Sequence, residues 1–171
     1  QYFNWRAYLD FGGGQVTDLF TLWIDVVHMF LGRDIPTSGV AACGVYHYKD
    51  GRTAPDTINV LLEYGGAYTA TFEATLAPGV RGAAIEFCGT EGKLWIDRSR
   101  YEFLPAGRGA QPVEVKGPGY DFTLDHVKNF LDCVKSRSKP AVDIEDGFYA
   151  TLPALMGVLA VRYGKTYVRD G

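Results

Sequence analysis

An α+β fold, with an open mixed, mostly antiparallel β-sheet of about six strands and helices packed on one face, follows from three features of this 171-residue chain. One amphipathic helix comes first. A run of short strand-like segments joined by glycine turns comes next, and two helices close the chain. Residues 1–171 are expected to form a single domain, long enough to bury roughly 70% of its unfolded surface without disulfides or metals.

The first helix is expected over 16–31. Its apolar residues, Val16, Leu19, Phe20, Trp23, Ile24, Val27, Phe30 and Leu31, recur with a helical period. Gly32 suits a left-handed terminator, and Pro36 follows soon after. Strand signals then fall at 39–48, 57–64, 67–76, 84–88 and 93–97, with weaker ones at 101–104 and 113–115. Lys49-Asp50-Gly51-Arg52, Gly65-Gly66 and Gly89-Thr90-Glu91-Gly92 supply the turns between strands. Tyr68, Ala70, Phe72 and Ala74 alternate with Thr69, Thr71, Glu73 and Thr75, which gives that strand one polar face. Asp121 or Thr123 caps a second helix, whose apolar stripe is Leu124, Val127, Phe130, Leu131 and Val134 and which Pro140 stops. Asp143 caps a third, with Glu145 and Asp146 at its positive end and Gly164 at its close. Pro153 is expected to kink this helix or split off its first turn.

Composition narrows the function. The formal net charge is −3, and the Lys and Arg residues are scattered, so there is no basic patch for nucleic acid. No run approaches ~18 apolar residues, so no membrane span is expected. The start at Gln1 has neither an initiator Met nor a signal segment and reads as the middle of a longer chain. Cys43, Cys88 and Cys133 are odd in number and widely spaced, which fits free thiols in a reducing, cytoplasmic setting. Eleven Tyr, ten Phe and three Trp give more apolar surface than one helical layer hides; self-association through the open sheet face is expected.

Candidate chemistry gathers around the first helix. Asp18 and Asp25 lie seven apart, so at ~3.6 residues per turn they fall within about 20° of each other. Position 22, one turn beyond Asp18, is Leu and not a proton carrier. Asp18 either orients a polar substrate or stabilises the helix dipole, and the two acids also permit a carboxylate pair for glycoside hydrolysis. His28 lies about 80° around the helix from Asp18, so His28 does not replace the missing partner. Trp5 and Arg6, with Tyr8, suit a sugar ring or an anion, or form a packed N-terminal arm. Gly12-Gly13-Gly14 matches no phosphate-binding spacing and points to close backbone packing or a pocket wall. No zinc spacing is present.

Several segments together resemble the C-terminal domain of the Gfo/Idh/MocA family of NAD(P)-dependent oxidoreductases. They are Phe3-Asn4-Trp5-Arg6, Tyr8-Leu9-Asp10, Gly13-Gly14, Thr17-Asp18-Leu19, Trp23-Ile24-Asp25, Tyr48-Lys49-Asp50-Gly51, Pro55-Asp56-Thr57, Gly89-Thr90-Glu91-Gly92 and Asn129-Phe130-Leu131-Asp132-Cys133. The resemblance implies a substrate and oligomerisation domain acting on sugars or polyols, paired with an N-terminal Rossmann domain that this chain lacks. NAD or NADP is implied for the full-length protein, with no cofactor or metal on these residues. Asp18 matches the Asp of the family's Asp-x-x-x-His motif, and Leu22 occupies the place of the His. Proton transfer contributes ~10²–10⁴-fold and an alkyl side chain cannot perform it, so these residues alone are not expected to catalyse redox chemistry. Asp18 is the expected catalytic position, and Trp5, Arg6 and Asp25 are the expected substrate contacts. Two alternatives share the fold: a binding or scaffolding module with lapsed catalysis, and part of an NAD-dependent glycosidase.

Overall fold

The computed structural model describes residues 2–78, 82–164 and 166–169. In chain order its elements are a 3₁₀ turn (Trp5–Ala7), a π-turn (Val16–Phe20), α1 (Thr21–Leu31), β1 (Ser38–Gly44), β2 (Thr57–Tyr64), β3 (Tyr68–Thr75), β4 (Ile85–Gly89), β5 (Gly92–Ile96), β6 (Arg100–Pro105), β7 (Val113–Lys116), α2 (Thr123–Ser136), α3 (Ile144–Tyr163) and β8 (Tyr167–Val168). They fall into two compact units, Gln1–Gly79 with Val142–Gly171, and Val80–Ala141.

The first unit holds an antiparallel sheet in the order β3-β2-β1-β8. Strand β2 shows how sequence period becomes a core. Ile58, Val60, Leu62 and Tyr64 are buried, while the intervening Asn59, Leu61 and Glu63 are exposed. On β3, Ala70 and Phe72 share the buried side, and Thr69, Thr71, Glu73 and Thr75 face out as the alternation requires. From the helical layer Val16, Phe20, Ile24, Ala154 and Val158 complete the core, with the Phe20 and Phe72 rings stacked 4.8 Å apart. Each buried aliphatic side chain contributes ~1.5–3 kcal/mol. The β2–β3 hairpin turns on Gly65 and Gly66, with φ values of 55° and 78°, and Ala67 is a third connecting residue before Tyr64 pairs with Tyr68, one more than the two-residue turn the sequence suggested.

The second unit holds an antiparallel sheet in the order β4-β5-β6-β7, followed by α2. Ile85, Phe87, Leu94, Ile96, Tyr101, Phe103, Val113 and Val115 alternate with Glu86, Cys88, Lys93, Trp95, Glu102 and Glu114, which makes the sheet amphipathic.

The α+β class, the antiparallel pairing and the three helices follow the sequence pattern, and the differences have local causes. The strands number eight, in two sheets: β3 ends at Thr75, and Pro78 has no N–H to carry a ladder onward. The first strand stops at Gly44 rather than reaching Tyr48, because the Asp56 carboxylate accepts the backbone N–H groups of Tyr46, His47 and Tyr48 at 2.8–3.0 Å. Of the kink or split expected at Pro153, the split does not occur: α3 runs through it as one helix. Pro153 is buried in the core, where packing offsets the one lost helical hydrogen bond. By length and composition α3 is the one described helix long and apolar enough to cross a membrane, which position-by-position counting of apolar residues overlooked. Its Ala150, Pro153, Ala154, Gly157, Val158 and Ala160 are buried inside the protein, while Phe148, Leu155, Leu159 and Tyr163 are exposed.

Candidate functional site

The N-terminal arm is held by hydrogen bonds to the segment before β2. The Ala7 carbonyl accepts the N–H groups of Thr53 and Ala54, each at 3.0 Å, and the Leu9 N–H donates to Thr53 Oγ1 at 2.8 Å. The Arg162 guanidinium donates to the Leu9 carbonyl. This anchoring sets the 3₁₀ turn, where the Arg6 guanidinium lies 4.2 Å over the Trp5 ring. Arg6 Nε then meets Asp18 Oδ2 at 3.3 Å. Three of the four expected site residues are thereby brought together.

Asp25 is elsewhere. With Asp18 inside a π-turn, the α-helical count fails: a π-turn holds one more residue per turn, which displaces the following residues by about 100°. Asp25 lines a separate hollow of about 160 Å³ with His28, Met29, Arg33 and Asp146. There burial pushes its carboxyl up, Asp146 adds to this, and Arg33 opposes it. Arg33 pairs with the acids at the start of α3, reaching Asp143 at 3.7 Å and Glu145 at 3.0 Å and contacting Asp146. The acidic cap was legible in the sequence; its meeting with Arg33 depends on α3 returning beside α1.

His28 is buried, with Nε2 3.3 Å from the Tyr64 hydroxyl and Nδ1 unpartnered. The ring is lodged in the core as a structural histidine. Leu22 is 54% exposed, and its side chain carries no proton-bearing atom. Among the described residues no group of three metal-ligating side chains forms.

The second unit carries a hollow of about 550 Å³ on the polar face of its sheet, lined by Glu86, Lys93, Trp95, Arg100 and Glu102 among others. Its charges are largely paired: Lys93 with Glu86 at 3.1 Å, and Arg100 with Glu114 at 3.1 Å.

The glycines before the π-turn do not cradle a dinucleotide. A Cβ on Gly13 would lie 2.3 Å from Thr17 Cγ2 and 2.8 Å from Val158 Cγ2, so the space beside Gly13 is filled by the chain itself. Every strand pair among the described residues is antiparallel, so no parallel β–α–β unit is present. These residues do not fit NAD or NADP.

The first unit is thus an antiparallel α+β unit whose glycine-led helix carries an acid at its head. The profile described as "Oxidoreductase family, C-terminal alpha/beta domain" matches residues 1–169, and the chain belongs to this Gfo/Idh/MocA oxidoreductase family. Similar solved structures include an NAD-binding oxidoreductase from Klebsiella pneumoniae, at 16% identity and a TM-score of 0.76, covering 98% of this chain and 54% of that one. Levoglucosan dehydrogenase in complex with NADH and levoglucosan gives 16% identity and 0.75, with the same coverages. Aldose-aldose oxidoreductase from Caulobacter crescentus, complexed with glycerol, gives 20% and 0.71, covering 97% and 51%. The chain spans about half the length of these structures. No curated protein matches it in sequence.

Proposed function

We propose that these residues are the substrate-binding and oligomerisation domain of a cytoplasmic sugar or polyol oxidoreductase, and that they do not carry out the redox step alone. The observation that carries this reading is Asp18, ion-paired to an Arg6 that is stacked on Trp5. Asp18 accepts a substrate hydroxyl, Trp5 offers a face for a ring, and Arg6 fixes the orientation of both. Two similar structures are complexes with the sugar derivative levoglucosan and with glycerol, which supports a polyol substrate here. NAD or NADP belongs to the remainder of such an oxidoreductase, where it supplies the hydride acceptor.

Leu22 favours a second reading, a ligand-binding module whose catalysis has lapsed. In the oxidoreductase that carries these residues, Leu22→His separates the two when dinucleotide reduction is assayed across sugars. A dehydrogenase site that lacks only its proton carrier gains ~10²–10⁴-fold. An unchanged rate would leave the binding module standing.

Self-association belongs to the same proposal. Val40 and Leu61, opposite each other in the β1–β2 register, are 40% and 42% exposed on the outer face of the first sheet. Light scattering at rising concentration is expected to show a dimer or larger species that Leu61→Lys weakens. A monomer at every concentration would refute it.

A further inference from the structure

We propose that the Trp5–Arg6–Asp18 group selects ligands bearing a carboxylate next to a hydroxyl, that is, polyhydroxy acids over neutral polyols. This deepens the reading of the group as a substrate surface and rests on it.

The argument begins with donors and acceptors. A guanidinium presents five N–H donors in a planar fork and no acceptor. Asp18 meets Arg6 at Nε, 3.3 Å away. Among the described residues neither terminal nitrogen of Arg6 has an acceptor, and the side chain is 65% exposed. Its plane is nonetheless fixed: Trp5 lies under one face, and the 3₁₀ turn is tied down through Ala7 and Leu9. A fork held in place with its outer edge open is a preorganised partner for two coplanar oxygens.

Asp18 supplies the complement. Its side chain is 32% exposed, and among the described residues Arg6 is its sole side-chain partner. A carboxylate is acceptor-only, so it takes an O–H and repels a second anion. The pair therefore shows a ligand two donors on one side and an acceptor on the other. A carboxylate beside a hydroxyl matches both: the acid on the outer nitrogens of Arg6, the hydroxyl on Asp18. A neutral polyol satisfies Asp18 equally well but gives the Arg6 fork only single, uncharged acceptors. An exposed ion pair is worth ~0–1 kcal/mol, so a ligand carboxylate competes with Asp18 for Arg6 at little cost.

Isothermal titration of the 171-residue chain with D-gluconate, D-galactonate, sorbitol and galactitol tests this. The acids are expected to bind at least about tenfold more tightly than their neutral counterparts, with a salt dependence the neutral ligands lack. Arg6→Lys keeps the charge but loses the fork, so the preference for acid over neutral ligand should shrink about tenfold. Arg6 is a surface residue, and an unchanged circular dichroism spectrum checks that the variant is folded. Equal affinity for gluconate and sorbitol, or an acid affinity indifferent to Arg6→Lys, overturns the inference. Acid and neutral affinities that are equal and are both lost in Asp18→Asn overturn this inference and leave the broader substrate reading intact. Absence of binding by all four ligands sinks both.

Discussion

At Gly13 the absence of one carbon decides how the π-turn meets the rest of its unit. The atoms in the way of a Cβ are Thr17 Cγ2 and Oγ1, at 2.3 and 2.9 Å, and Val158 Cγ2 on α3. Thr17 cannot step aside cheaply. Its hydroxyl accepts the Gly13 N–H and donates to the Gly14 carbonyl, each at 3.2 Å, and its branched side chain is stiff. Gly13→Ala is therefore expected to destabilise the fold by ~1–3 kcal/mol, the range for overpacking. Gly12→Ala is the control: its nearest atom is Trp5 Cζ3 at 3.3 Å, on a half-exposed ring that can shift. Urea midpoints for the two variants check this, and equal midpoints would refute it. The sequence showed three adjacent glycines and the absence of a phosphate-binding spacing. Which glycine is indispensable depends on α3, 145 positions further along, and no local pattern carries that.

Single elements were legible where one local signal dominates. Asp143 before an apolar run gave the start of α3, and the capping box is present: its carboxylate accepts the N–H groups of Glu145 and Asp146, while Asp146 accepts the Asp143 N–H at 2.8 Å. Gly164 closes the helix in the left-handed conformation. Asp143→Ala should cost ~0.5–2 kcal/mol, typically ~1, and fray the first turn of α3. Hydrogen exchange at residues 144–147 reads the fraying directly; unchanged protection there would contradict the cap's role. Other elements misled. The π-turn has the same apolar periodicity as the helix that continues it, so face arithmetic from Asp18 to Asp25 went astray. Strand β1 was read too long because its terminator, Asp56, acts from the far side of a loop. Asp56 is fully buried, and burial alone would push its carboxyl up. The N–H groups of Tyr46, Tyr48 and His47 and the Thr57 hydroxyl outweigh that and hold it well below the usual carboxylate range.

Over the whole molecule these buried ionisable groups give stability a shape in pH, because each has a preferred protonation state in the fold. His28 acts first on acidification. Burial lowers its pKa beneath the ordinary 6.5, with Asp34 partly opposing. The fold thus prefers the neutral ring, and the stability this contributes is present above 6.5 and drains away as pH falls below it. Asp56 acts second. Its depressed pKa contributes stability above 3.8 that is lost as pH falls below that value. Asp25 runs the other way: its raised pKa penalises the folded carboxylate, so protonating it on the way down towards 3.8 returns some stability. At the alkaline end Tyr64, raised by burial and then by Tyr68 and Asp34, contributes stability that is lost above 10. The groups around His28 are Asp25, Arg33, Asp146, Asp34 and Tyr64, and Arg33 carries its charge throughout this range. Denaturant midpoints measured from pH 8 to 3 should therefore fall in two stages, one below 6.5 and one below 3.8. His28→Phe removes the group responsible for the first stage and keeps a ring of similar size. That variant should start lower at pH 8, having lost the Tyr64 contact, but stay level down to about pH 5 where the parent declines. His47 and His126 are exposed, so neither supplies a buried neutral ring to take over that stage. A parent curve that is flat between pH 8 and 5, or a His28→Phe variant that keeps the first decline, would show that acid acts through some other group.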